Sequence, residues 1–248
     1  VGRHIIKVDR VGKRLALRLE GGDSLVIEPR MTGLVLLADP PDREHLRLRF
    51  QLSATSAKNI WYWDRRGLGS VRLLSKRAFE KALGPSKLGP DALDISKKDL
   101  ADRLSTSRRE IKVALLDQRA LAGIGNLYAA EILHLAGIHP QTRCEQLKPA
   151  QWLSLHQAMQ EILSQAIAYE GSTLSDGTYR NALNQAGSYQ TQHRIYGRAG
   201  EICTSCRAGT VLRILQAQRS TFFCPACQVR RPLHRKTKSM HTRQRGTV

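Results

Sequence analysis

The sequence lacks the patterns that mark membrane-bound and exported proteins. No stretch approaches the run of about 18 consecutive apolar residues that a transmembrane helix needs. The first residues, Val1-Gly2-Arg3-His4, begin no signal-peptide pattern. No basic amphipathic helix with a broad apolar face stands out, although that pattern is typical of proteins bound to a membrane surface. We therefore expect a cytoplasmic protein with no membrane partner.

Acidic residues are also scarce. The 248 residues include 21 Asp and Glu against 40 Lys and Arg, which gives a formal net charge of +19 and a pI near 10.4. Solubility alone does not explain this charge, because it exceeds the usual range for a small domain. A positive field of this size favours a polyanion, and the sequence therefore predicts a nucleic-acid partner.

Cysteines are few, and their odd number in a chain without export signals argues against a disulfide framework. Cys144 stands alone. The other four form two C-x-x-C pairs separated by 17 residues, at Cys203, Cys206, Cys224 and Cys227. Two such pairs on hairpin turns deliver four thiolates to one tetrahedral Zn²⁺, in a closed and therefore structural site. An iron–sulfur centre and a redox pair are the alternatives.

The residues around these pairs predict a zinc ribbon. Thr210 to Ile214 and Thr221 to Phe223 have the composition of two strands, so the hairpin between them presents residues 216–220. Past Gln228 the sequence is basic and has no acidic residue. That composition predicts a disordered tail, either solvated or in contact with the polyanion.

The first part of the sequence, from Ile5 to about Leu74, alternates apolar and polar residues with the period of a β-strand. A glycine-containing turn at residues 20–23 predicts a hairpin. The whole region is expected to form an antiparallel β domain with one buried face. A short helix is predicted near Lys76 to Leu83. A segment rich in Gly and Pro then breaks the periodicity, and we take residues 85–95 as an interdomain linker.

Helical periodicity begins after the linker. It predicts helices from Ser96 to about Leu104, on both sides of a glycine-containing turn within residues 112–140, and from Pro149 to about Tyr169. At that turn Asn126 is a good N-cap for the second helix of the pair. A glycine turn before a helix N-terminus offers backbone N–H groups to a phosphate. An ordinary helical hairpin with glycines for packing is the alternative.

Three stretches carry a resemblance: Lys112 through Pro140, Tyr196-Gly197-Arg198 leading to Cys203, and Gln218 through Cys224. With the β domain before them, they make the chain similar to the bacterial formamidopyrimidine-DNA glycosylases, a family shared with the endonuclease VIII-like enzymes. The resemblance implies an α+β fold with an antiparallel β-sandwich incomplete at its N-terminus, a helical domain with a helix–two-turn–helix motif, and a C-terminal zinc ribbon. The expected domains are residues 1–84 (β-sandwich), 85–95 (linker), 96–192 (helical), 193–229 (zinc ribbon) and 230–248 (disordered basic tail).

The resemblance also implies roles for single residues. Lys13 matches a lysine assigned as proton donor in β-elimination, and Arg219 matches the ribbon arginine that grips the phosphates and serves δ-elimination. The implied zinc ligands are Cys203, Cys206, Cys224 and Cys227. The implied DNA-binding residues are Met31 (wedge in the gap left by the flipped base), Arg66 (partner of the orphaned base), Leu68 (second wedge), and Lys112 and Asn126 (phosphate contacts). Base flipping costs a few kcal/mol, so it needs such wedges and cationic clamps.

Without the resemblance, a solvated strand lysine and a core methionine are the simpler interpretations of Lys13 and Met31. The sequence also departs from the family. The family's nucleophile is an N-terminal proline followed by a glutamate, whereas this sequence opens at Val1. We therefore expect it to be N-terminally truncated and inactive without that pair, because Schiff-base chemistry needs a free amine at the lesion.

Two further positions bear on specificity. Gly67 stands where a second arginine is usual in the family, and Leu68 where a phenylalanine wedge is usual. Leucine can still fill a gap in stacked DNA, so we expect base flipping with altered preference. The loop at residues 187–190 resembles the family's lesion-capping loop in position, which favours oxidised purines.

The leading hypothesis is a monomeric base-excision-repair DNA glycosylase with AP (β,δ) lyase activity. It would remove oxidised purines, such as formamidopyrimidines and 8-oxoguanine, from double-stranded damaged DNA. The alternative is a non-catalytic zinc-ribbon protein that binds damaged DNA with the same helix pair and ribbon.

Overall fold

The computed structural model describes residues 2–53, 56–174 and 177–230. Within these ranges the chain begins with seven strands that form two antiparallel sheets. They are β1 (Ile5–Val11), β2 (Arg14–Leu19), β3 (Ser24–Glu28), β4 (Gly33–Leu36), β5 (Leu46–Gln51), β6 (Asn59–Asp64) and β7 (Ser70–Leu74). The sheet orders are β1-β2-β3-β7 and β4-β6-β5.

The period-two pattern of the sequence accounts for these sheets. β2 and β3 pair with Ala16 opposite Val26, and both side chains are buried against Leu83 of helix α1 (Lys76–Leu83). The second sheet buries Trp61 and other apolar side chains of β4 and β6 in a separate cluster. The hairpin expected at residues 20–23 joins β2 to β3, so that prediction is confirmed. The antiparallel β-sandwich is also confirmed.

The helical part of the chain follows. Its helices are α2 (Lys97–Leu104), α3 (Ile111–Leu115), α4 (Asn126–Leu135) and α5 (Pro149–Ala168), with short 3₁₀ helices at Cys144–Gln146 and Tyr189–Gln192. α5 lies against α2 and α4 and buries Leu155 and Ile162 completely. None of the helices in the described ranges is long and apolar enough to cross a membrane.

The segment predicted as a linker is docked on the helical part. Ala92 N donates to Ala122 O at 2.9 Å, and Gly89 N donates to Gln118 O at the same distance. A side chain at Gly89 would have its Cβ 2.7 Å from the backbone of Ala120, so only glycine permits this approach. Residues 85–95 therefore join the β domain to the helix pair through main-chain hydrogen bonds.

The last unit is a hairpin of β8 (Leu212–Gln216) and β9 (Arg219–Phe223). Its tip is the two-residue turn Ala217-Gln218, with φ of 45° and 61°, which is tighter than the expected tip of residues 216–220. Gln216 explains the difference, because its side chain is buried and donates to Glu110 Oε2 (2.6 Å) and to Pro140 O (3.3 Å). The predicted basic tail, apart from Arg230, lies outside the described residues.

Candidate nucleic-acid interface and metal centre

The turn between α3 and α4 brings three parts of the chain together. Gly123 has a φ of +105°, which favours glycine, and Gly125 is the N-cap residue of α4. A Cβ placed on Gly125 would lie 3.7 Å from Nζ of Lys13, a residue in the β1–β2 turn. The start of α4 therefore faces a lysine of the β domain, and Gly125 offers no side chain to cap its N–H groups.

Asn126 is the first residue of α4, not its N-cap as the sequence predicted. Its side chain points to the ribbon instead. Nδ2 donates to Ser220 O at 3.0 Å, and Oδ1 accepts from Lys112 Nζ at 2.7 Å. Glycine at the capping position leaves the asparagine side chain available for this contact between the helix pair and β9.

Lys112 is buried, with 1% of its surface exposed. Its ammonium group donates to Asn126 Oδ1 (2.7 Å), Thr221 Oγ1 (2.6 Å) and Ser220 O (3.2 Å). A lysine ammonium has three N–H donors, and all three are used here. This differs from the direct phosphate contact expected of Lys112, because no donor remains for a phosphate in this arrangement.

Arg219 lies at the first position of β9, beside these groups. Burial and then the charge of Arg219 lower the pKa of Lys112 to about 8. Burial, Arg219 and Arg14, in that order, lower the pKa of Lys13 to about 8, although its side chain is exposed and solvent screens part of this effect. Among the described residues, none of the ion pairs involves Lys13, Lys112 or Arg219. The three cations repel one another and favour an added anion.

The predicted wedge residues lie on two loops of the β domain. Met31 is 69% exposed and Leu68 is 45% exposed, which excludes a core role for either side chain. Arg66 is exposed on the same loop as Leu68. Large apolar side chains held in solvent at loop tips are available to contact a partner.

The four cysteines predicted as ligands converge in the ribbon. Their Sγ atoms all lie within 4.8 Å of one another, with Cys203 and Cys227 3.8 Å apart and Cys206 and Cys224 3.7 Å apart. A tetrahedron of sulfurs around a metal at about 2.3 Å has edges of about 3.8 Å, so the cluster fits a metal ion. Hydrogen bonds from backbone N–H groups of Ala208 and Gly209 lower the pKa of Cys206 to about 6, which favours the ligating thiolate.

Two buried residues of α4 that sequence reasoning missed attach the ribbon to the helices. The Glu131 carboxylate is fully buried and accepts backbone N–H bonds from Arg194 (2.9 Å), Ile195 (3.0 Å) and Tyr196 (2.8 Å). His134 Nε2 lies 3.4 Å from Cys203 Sγ. Polar residues within the apolar run of α4 were the available signal, because a buried carboxylate needs several donors.

A β-sandwich, a glycine-turn helix pair and a four-cysteine ribbon, with three cations that make no ion pair within the described part of the chain, fit a DNA-binding protein. Family models describe two parts of it. Residues 1–71 match the N-terminal domain of formamidopyrimidine-DNA glycosylases, and residues 88–178 match their H2TH domain.

Relatives and solved structures agree with these models. The formamidopyrimidine-DNA glycosylase of Chloroflexus aurantiacus is 41% identical over 231 residues, which is 92% of this chain and 81% of the relative. The crystal structure of the MutM (Fpg) protein of Thermus thermophilus matches with a TM-score of 0.82 and 36% identity, over 93% of this chain and 85% of that one. A mutant of the Lactococcus lactis enzyme, in complex with a Fapy-dG-containing DNA, matches with a TM-score of 0.82 and 32% identity, over 93% and 84%.

The chain belongs to the formamidopyrimidine-DNA glycosylase family. Membership places it among the DNA glycosylases of base excision repair. The family expected from the sequence is therefore confirmed.

Proposed function

We propose that this protein excises oxidised purines, such as formamidopyrimidines and 8-oxoguanine, from double-stranded DNA and cleaves the resulting abasic site by β,δ-elimination. The observation that carries the proposal is the group of three cations, Lys13, Lys112 and Arg219, without a carboxylate partner among the described residues. Such a group is costly in the free protein and is stabilised when DNA phosphates enter it.

Lys13 and Arg219 take the catalytic roles in this proposal. After an amine has formed a Schiff base with C1′ of the sugar, loss of a C2′ proton expels the 3′-phosphate, and a second elimination expels the 5′-phosphate. Lys13, whose pKa is lowered to about 8, exchanges protons readily near neutral pH and is suited to protonate a leaving group. Arg219 binds the phosphates and stabilises their negative charge as they depart.

The remaining predicted residues hold and distort the DNA. Met31 and Leu68 fill the gap left when the damaged base leaves the stack, and Arg66 contacts the orphaned partner base. Asn126 contacts a phosphate at the start of α4 through the second N–H of its amide nitrogen, since the first is bonded to Ser220 O. Lys112 does not contact the DNA directly. It supports the DNA-binding surface by bonding to both Asn126 and Ser220 of the ribbon.

We propose that the four cysteines hold one Zn²⁺. Four thiolates at tetrahedral spacing leave no position open for substrate, so the ion stabilises the hairpin that carries Arg219 and takes no part in the reaction. The protein would act as a cytoplasmic monomer.

Borohydride trapping on a duplex with one abasic site tests the lyase proposal. We predict a covalent adduct when the family's N-terminal Pro-Glu precedes the β domain, and binding without an adduct for residues 1–248 alone. An adduct from residues 1–248 would contradict the assignment of the nucleophile. Tight, lesion-selective binding with no adduct in either form would favour a non-catalytic damaged-DNA-binding protein instead.

A further inference from the structure

The two loops that carry the wedge residues are joined by one buried carboxylate. Asp64 is the last residue of β6 and is 1% exposed. Its oxygens accept hydrogen bonds from Thr32 Oγ1 (2.5 Å), the backbone N–H of Gly69 (2.8 Å) and the Tyr62 hydroxyl (3.3 Å). The carboxylate therefore contacts the loop that follows Met31 and the far end of the loop that carries Leu68.

Thr32 completes this connection. Its hydroxyl donates to Asp64 and accepts from the backbone N–H of Arg66 at 3.1 Å, so one oxygen atom bonds to both loops. Thr32 is 4% exposed, while the preceding residue, Met31, is 69% exposed. The exposed Met31 side chain is therefore one residue away from this hydroxyl, and the backbone of the exposed Arg66 bonds to it directly.

Hydrogen bonds favour the charged form of the buried Asp64 carboxylate. Burial alone raises the pKa of this carboxyl, but the hydrogen bonds from Thr32, Gly69 and Tyr62 outweigh burial and leave the pKa below its ordinary value. No ion pair to the Asp64 carboxylate occurs among the described residues. A buried charge held only by neutral donors contributes little net stability compared with a well-packed apolar side chain, but it fixes the positions of its donors closely.

The backbone at Gly69 also approaches this carboxylate closely. A Cβ at Gly69 would overlap the Tyr62 hydroxyl and lie 3.2 Å from Asp64 Oδ2. Glycine at this position therefore lets the end of the loop reach the carboxylate. Because both ends of the loop at residues 65–69 are bonded to the Asp64–Thr32 pair, its position relative to Met31 has little freedom.

We propose that Asp64 and Thr32 are positioning residues that hold the Met31 wedge and the Arg66–Leu68 loop at a fixed separation, so that both enter the duplex together at a damaged site. This inference rests on the proposed function of the two loops. The pair determines discrimination of damaged from undamaged DNA, and the cations elsewhere supply affinity for either. If Met31 and the Arg66–Leu68 loop moved independently, both would occupy the gap left by the flipped base only part of the time.

The test uses the chain as it is and measures its affinity for two duplexes, one undamaged and one with a stable abasic-site analogue. A 2-aminopurine opposite the analogue reports insertion of the loops through its fluorescence. Thr32→Val removes the shared hydroxyl with little change in volume, and Thr32→Ser keeps it. Asp64→Asn keeps an oxygen for Thr32 but turns an N–H₂ group toward Gly69 N–H. Asp9→Asn is the matched control, because it removes the same charge from a surface ion pair with Arg18.

We expect Thr32→Val and Asp64→Asn to lower the preference for the abasic duplex by about tenfold, the order of effect for losing a hydrogen bond to a charged group. Affinity for the undamaged duplex should stay the same, and the 2-aminopurine signal should fall. Thr32→Ser and Asp9→Asn should behave as the unchanged protein. Equal loss on both duplexes, or full preference in Thr32→Val, would overturn the positioning role. An unchanged protein with no preference for the abasic duplex would instead overturn the proposed function.

Discussion

Replacement of Lys112 by methionine should remove a specific pH dependence of stability. The side chain is 1% exposed, and burial followed by Arg219 lowers its pKa from 10.5 to about 8. Between these two pH values the unfolded chain binds a proton that the folded chain has released. Stability therefore rises with pH across this window, and the full difference is about 3 kcal/mol at about 1.4 kcal/mol per pH unit.

Urea unfolding followed by tryptophan fluorescence at pH 7 and pH 9.5 measures this effect. For the unchanged protein, Lys112 should contribute an increase of about 2 kcal/mol in the unfolding free energy between the two pH values. Lys112→Met should lose that increase. The comparison uses the change in unfolding free energy between the two pH values, so any loss of stability that is the same at both values cancels. Titrating groups that the two proteins share cancel as well.

Lys98→Met is the matched control. It removes the same charge, but Lys98 is exposed and its pKa is raised by a hydrogen bond and ion pair with Asp102. This control should keep the increase with pH. If Lys112→Met also shows the increase in unfolding free energy with pH, the ammonium group is not buried as in the structure. The proposed role of Lys112 in joining Asn126 to the ribbon would then be wrong as well.

Three other changes test the interface. In a form that carries the N-terminal Pro-Glu, Arg219→Ala should abolish strand cleavage at abasic sites, measured by gel cleavage. In either form it should weaken DNA binding about tenfold or more, measured by anisotropy, with Arg103→Ala on α2 as the unaffected control. Cys206→Ser should reduce bound zinc well below one ion per chain by atomic absorption and weaken DNA binding, because the hairpin loses a ligand. DNA affinity should fall steeply with salt, and Lys13→Ala should reduce the slope of log affinity against log salt by about one; an unchanged slope would exclude a phosphate contact by Lys13.

Local sequence patterns predicted much of the fold. Alternation of apolar and polar residues located β2 and β3, and helical periodicity located α1 and α5 within one residue at each end. These patterns succeed because each depends on which face of a single element is buried. The bounds of the ribbon strands were predicted less accurately. Gln216 extends β8 because its side chain contacts Glu110, which is 106 residues away in the sequence.

The site was predicted less completely than the fold. Resemblance indicated Asn126 and Lys112 as phosphate contacts, but the structure joins both to Ser220 of the ribbon. Asp64 was not among the predicted site residues, although its carboxylate joins two loops. Each of these contacts connects residues far apart in the sequence, and no local periodicity reports such a pair.

The sequence by itself determined the charge of the protein, the spacing of its four paired cysteines and the order of its strands and helices. These follow from residue types and short spacings, which act over a few residues. The tertiary structure alone decided which cations lie together, which lysine is buried, and which carboxylate holds the wedge loops. Burial and long-range hydrogen bonds set those properties, because a side chain's solvation and partners exist only once distant segments have packed.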